Sequence, residues 1–74
     1  MKAKEMFEKL GYEHFNNNLR ISYNNFEKEC KLIEFQLNKK KMILADDSEE
    51  IVELSYKEIQ AINKQIEELG WNND

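Results

Sequence analysis

Apolar residues recur every three to four positions at both ends of this 74-residue chain and every second position between them. That change of period limits the fold more than any motif does, because a period near 3.6 marks one face of a helix and a period of 2 marks one face of a strand. Each such face must be covered by another element. At the first end Ala3, Met6, Phe7 and Leu10 fall at i, i+3, i+4 and i+7, while Lys2, Lys4, Glu5, Glu8 and Lys9 take the other side. Gly11 follows the last periodic residue and suits the left-handed turn that ends a helix, with Tyr12 folding back on the last turn. So short a helix melts in isolation, so it requires a surface supplied by the rest of the chain.

The alternating region supplies that surface. Residues 12–15 lead into Asn16, Asn17 and Asn18, a turn composition, after which Leu19, Ile21 and Tyr23 alternate with Arg20 and Ser22. This reads as a hairpin whose register the sequence leaves open; a three-residue loop would set Phe15 across from Leu19 on one face. After a loop at residues 24–28, residues 30–37 place Ile33, Phe35 and Leu37 on one face and Leu32, Glu34 and Gln36 on the other. A turn at 38–40 returns the chain through 41–45. Whether its tip is Asn38 and Lys39 or Lys39 and Lys40, parity puts Met42 and Leu44 on the face of Phe35. Residues 51–54 suggest a short extended piece.

The last element carries the sharpest local signal. Ser55 followed by Glu58 is a capping box, with Leu54 and Ile59 as its hydrophobic staple. Tyr56, Ile59, Ile62, Ile66 and Leu69 then form an apolar stripe that Gly70 terminates, leaving Trp71 to pack on the final turn. The expected architecture is one α+β domain over residues 1–74. It has a short N-terminal helix, a four-stranded antiparallel β-meander and a C-terminal helix. Both helices pack on the sheet face of Leu19, Ile21, Tyr23, Ile33, Phe35, Leu37, Met42 and Leu44.

Composition bounds the context. There is no proline and one cysteine, so no intrachain disulfide can form, which fits a reducing cytoplasm. The longest apolar run, residues 42–45, is far short of a bilayer span, and the first ten residues do not read as a signal peptide. No membrane association is expected. Charge is divided unevenly: residues 1–41 hold nine Lys/Arg against six Glu, a balance of +3, and residues 42–74 hold two Lys against nine Asp/Glu, a balance of −7. The acidic run Asp46, Asp47, Glu49, Glu50 and Glu53 is the candidate partner-binding surface, suited to a protein with a basic surface.

Catalytic and metal chemistry find little purchase. His14, the lone histidine, and Cys30, the lone cysteine, lie on different strands and do not build a nucleophile–base pair. They read as a strand-surface histidine and a structural cysteine. The acidic run lacks the alternating ligands and the glycine of an EF-hand loop. No cofactor is implied, since Gly11 and Gly70, the only glycines, both read as helix terminators rather than a phosphate loop. Lys39, Lys40 and Lys41 with Arg20 offer a nucleic-acid reading that ranks second, because Tyr23 and Phe35 fall on the buried parity and leave no stacking platform. Leu32 and Ile43, on the face away from the helices, leave room for a weak homodimer as well as a monomer.

The stretches Ala3-Lys4-Glu5-Met6-Phe7-Glu8-Lys9-Leu10-Gly11-Tyr12 and Ala61-Ile62-Asn63-Lys64-Gln65-Ile66-Glu67-Glu68-Leu69-Gly70-Trp71 resemble the ends of small proteins from phages, prophages and other mobile elements of Firmicutes. The resemblance covers the two helices and carries over no functional residue. It implies a bacterial host cell and a small accessory protein; the expectation that the protein is not an enzyme comes from the missing catalytic constellation. Such a protein acts by stoichiometric binding, inhibiting or modulating a host protein such as a nucleic-acid-targeting defence system, in the anti-CRISPR manner.

Overall fold

The computed structural model describes residues 1–47 and 51–71. Its elements are α1 (Ala3–Lys9), β1 (Glu13–Asn16), β2 (Arg20–Asn25), β3 (Lys31–Gln36), β4 (Lys41–Ala45) and α2 (Tyr56–Leu69). The strands form one antiparallel sheet in the order β1-β2-β3-β4, and the helices cover a single face of it. This is the α+β arrangement expected from the change of period.

Both helices end where glycine permits a turn that other residues resist. Gly11 has φ +94°, which lets the Tyr12 N–H donate back to the Phe7 carbonyl at 3.0 Å. Gly70 has φ 72°, and its N–H bonds the Glu67 carbonyl at 3.1 Å. The chain leaves α2 so that the Trp71 ring meets Phe35 edge-on, with centroids 6.0 Å apart. Trp71 therefore reaches the sheet, beyond the last helical turn on which the sequence placed it.

The core is a line of aromatic rings running from α1 across the sheet to Trp71, just past the end of α2. Phe7 of α1 stacks on Tyr23 at 3.8 Å and meets Tyr12 edge-on at 5.5 Å, and Tyr23 meets Phe35 edge-on at 6.3 Å. Ile33, Ala61 and Ile62 complete the buried set, with Ile21, Met42 and Leu44 packed around it. Phe35 pairs with Met42 and Ile33 with Leu44, so the inward face follows the expected parity, in the register that puts Asn38 and Lys39 at the tip.

The hairpin of β1 and β2 departs from expectation. Phe15 pairs with Ser22 rather than lying across from Leu19, and it points away from the helices, 53% exposed. Asn17 sets this register: its Oδ1 accepts the N–H groups of Leu19 at 2.8 Å and Arg20 at 3.0 Å, while its own N–H donates to the Arg20 carbonyl at 2.9 Å. Such an Asx turn holds Leu19 at the loop tip, so Leu19 leaves the inward face. Cys30 likewise sits in the loop before β3 at φ 51°, and Leu37 lies just past the end of β3.

Candidate functional site

The acidic segment connects the edge strand β4 to the N-terminus of α2. Asp46 is half-buried, while Asp47 and Glu53 are exposed. Glu49 and Glu50, also expected there, lie outside the described residues. Residues 51–54 adopt no strand, which leaves Ile51 82% exposed. Among the described residues no group of three or more His, Cys, Asp or Glu side chains is placed to hold a metal ion.

Beside this segment the first turns of α2 present apolar side chains to solvent. Tyr56 is 74% exposed and Ile59 42%, although the stripe read from sequence places both in the core. The buried face is turned toward Glu58, Ala61, Ile62 and Gln65, with Ile66 and Leu69 partly covered. The reason is polar. Tyr12 and Tyr23 bring hydroxyls into the interior, and a buried hydroxyl needs a partner. Tyr23 donates to Gln65 Oε1 at 2.6 Å, and Tyr12 donates to Glu58. The helix is rotated to deliver those two acceptors, which moves Tyr56 and Ile59 outward.

Glu58 anchors the N-terminus of α2 from within. The Ser55 N–H donates to its Oε1 at 2.8 Å, the Glu58 N–H donates to Ser55 Oγ at 3.1 Å, and Lys31 Nζ lies 3.2 Å from Oε1. Lys31 also pairs with Glu29 at 3.2 Å. Burial alone would raise the Glu58 pKa, but the bonds from the Ser55 backbone, Tyr12 and Lys31 outweigh it and hold the carboxyl below its usual value. Burial likewise pulls Lys31 down, and its bonds to Glu29 and Glu58 more than reverse this. The Tyr12 hydroxyl is driven far above the ordinary phenol range by burial and by Glu58 beside it, and burial pushes Tyr23 up to about 12. A carboxylate held ionised by this many donors is a structural clamp, and its lone pairs are already engaged.

His14 is not on the outer strand surface. It pairs with Tyr23 across β1 and β2, on the helix-covered side, with ring centroids 5.2 Å apart. Burial, then the nearby Lys4, lowers its pKa, with Glu8 acting in the opposite sense. Cys30 donates through Sγ to the Phe26 carbonyl at 3.3 Å, within its own loop. At the opposite end of the sheet the two hairpin tips meet, where the Leu37 N–H donates to the Leu19 carbonyl at 3.0 Å. This gathers Arg20 and Lys39, Lys40 and Lys41 at one end, with Arg20 also 3.7 Å from Glu34. No helix among the described residues is long and apolar enough to cross a membrane.

Comparison of the chain with family models, with curated proteins and with solved structures finds no match.

Proposed function

We propose that this protein acts by binding another protein through the surface formed by the acidic segment and the outer side of the first turns of α2. The observation that carries this reading is the exposure of Ile51 at 82%, Tyr56 at 74% and Ile59 at 42% beside Asp47 and Glu53. Protein interfaces have this anatomy: apolar and aromatic anchors inside a charged rim. The tyrosine supplies contact area at low entropic cost, and the carboxylates steer a basic partner onto it. Asp46, Asp47, Glu49, Glu50 and Glu53 supply the charge, and Ile51, Tyr56 and Ile59 the contact. The mobile-element resemblance supports a host protein with a basic surface as the target, inhibited or redirected by stoichiometric binding.

A photo-crosslinking side chain at position 56, carried in host cells, captures that partner. The double variant Ile51→Ser with Tyr56→Ser then lowers affinity at least about thirtyfold, as expected for loss of an anchor of about 2 kcal/mol or more. Lysine at positions 46, 47, 49, 50 and 53 weakens association most at low salt. Unchanged affinity of both folded variants for the captured partner would remove this surface from consideration.

A second reading is nucleic-acid binding by the end of the sheet that gathers Arg20, Lys39, Lys40 and Lys41. Retention of DNA and RNA over a salt titration separates the two readings: phosphate contacts weaken steeply with salt, and retention absent even at low salt eliminates this one.

A further inference from the structure

Among the described residues no helix or strand covers the outer face of the sheet, and the register makes that face complementary to itself. One row of outward side chains crosses all four strands: Phe15 pairs with Ser22, Ser22 with Glu34, and Glu34 with Ile43. The apolar members stand on the two edge strands, with Phe15 53% and Ile43 40% exposed, and the polar members lie between them. On one flank of this row are Glu13, Asn24, Leu32 and Ala45, and on the other Arg20, Gln36 and Lys41. The ionisable residues of the face are thus Glu13, Arg20, Glu34 and Lys41, two of each sign, in a chain whose net charge is −4.

We propose that two copies of this chain pack through this face about a two-fold axis that lies between the sheets and runs along the strands between β2 and β3. That axis exchanges β1 with β4 and β2 with β3. Phe15 of each copy then meets Ile43 of the other, and Ser22 faces Glu34. Arg20 lies beside the other copy's Glu34, adding to the ion pair it makes at 3.7 Å within its own sheet. A two-fold axis across the strands is disfavoured, because it sets the two Glu34 carboxylates against each other. The register selects one axis over the other, and the neutral face removes the repulsion that two acidic chains otherwise meet.

The size of the face sets the strength. Four strands about 4.8 Å apart and about five residues long cover about 300 Å² per copy, well below the roughly 800 Å² per partner of standard stable interfaces. The dimer is therefore weak and forms only at high protein concentration.

Sedimentation equilibrium of the full chain across a concentration series tests this. The weight-average mass rises from one chain toward two in the wild type and stays at one chain for Phe15→Asp alone and for Ile43→Lys alone. Mixing those two variants in equal amounts restores dimers. The aspartate introduced at position 15 of one copy meets the lysine introduced at position 43 of the other, while the second Phe15–Ile43 contact remains intact. Amide shifts that move on dilution cluster at residues 15, 22, 34 and 43, a readout that needs no variant. The proposal is overturned by a wild type that stays monomeric at millimolar concentration, by dimers that survive in the single variants, or by a mixture no more associated than its components. Dilution shifts on α2 in place of the sheet would also overturn it.

Discussion

Glu58 is a carboxylate carried into the interior with its donors assembled around it, and its behaviour follows from which of them is removed. Tyr12→Phe leaves the packing against Phe7 but deletes a hydroxyl donor to a charged group, which costs about 1.5–3 kcal/mol in urea melts at neutral pH. The pH dependence has a definite sign. A carboxyl held below its ordinary value of 4.5 contributes fully above that pH and loses its contribution as the pH falls through the depressed folded value. His14 acts in an earlier window: its lowered folded pKa gives stability above about pH 6.5 that is lost on acidification. Glu58→Gln therefore flattens the loss of stability below about pH 4.5 and leaves the His14 window unchanged, as melts from pH 8 to pH 3 will show. An acid limb of unchanged slope would mean that Glu58 is not the group that titrates.

At the scale of the element, α2 separates what sequence reveals from what it conceals. Its ends were legible because their physics is local: Ser55 and Glu58 lie three residues apart, and Gly70 needs only its own φ of 72°. Its buried face was not, because the acceptors Glu58 and Gln65 are called inward by Tyr12 and Tyr23, which lie 46 and 42 residues away. Periodicity counts apolar residues and cannot see a hydroxyl waiting on another element. The register of β1 and β2 was hidden for a different reason: the bonds that set it are local, two and three residues from Asn17, but Asn16, Asn17 and Asn18 are three equivalent candidates for that role in sequence, and the choice among them fixes the outward position of Phe15. Of the candidate site, the acidic charge was legible, and the exposed Tyr56 and Ile59 beside it were not. The rotated helix makes a sharp prediction for denaturant melts. Ile62→Ala opens a cavity and costs about 2–5 kcal/mol, whereas Tyr56→Ala changes stability by about 0.5 kcal/mol or less. The reverse order would return Tyr56 to the core and take away the anchor of the proposed interface.

Across the whole molecule, the aromatic line joins every layer, so α1 is part of the core rather than an appendage to it. Seven residues cannot hold a helix in water, yet α1 delivers Phe7, fully buried, onto Tyr23, and the backbone N–H of Ala3 donates to Glu68 of α2 at 2.8 Å. Each helix thus depends on the other and on the sheet beneath them. In a domain this small, total stability is of the order of 5 kcal/mol, so a loss of about 3–5 kcal/mol at one core position consumes most of it. Phe7→Ala is such a loss, since it leaves Tyr23 without its stacked ring and Tyr12 without its edge contact. Far-UV circular dichroism and tyrosine fluorescence should then lose helix and sheet together, in one transition shifted to much lower denaturant. Native-state hydrogen exchange of the wild type should report the same coupling, with interior amides of α2 and β3 opening at a common free energy. If α2 instead kept its exchange protection in Phe7→Ala while the sheet lost it, the helix would be stabilised independently of the aromatic line, and the capping box with Glu58 would have to supply that stability alone.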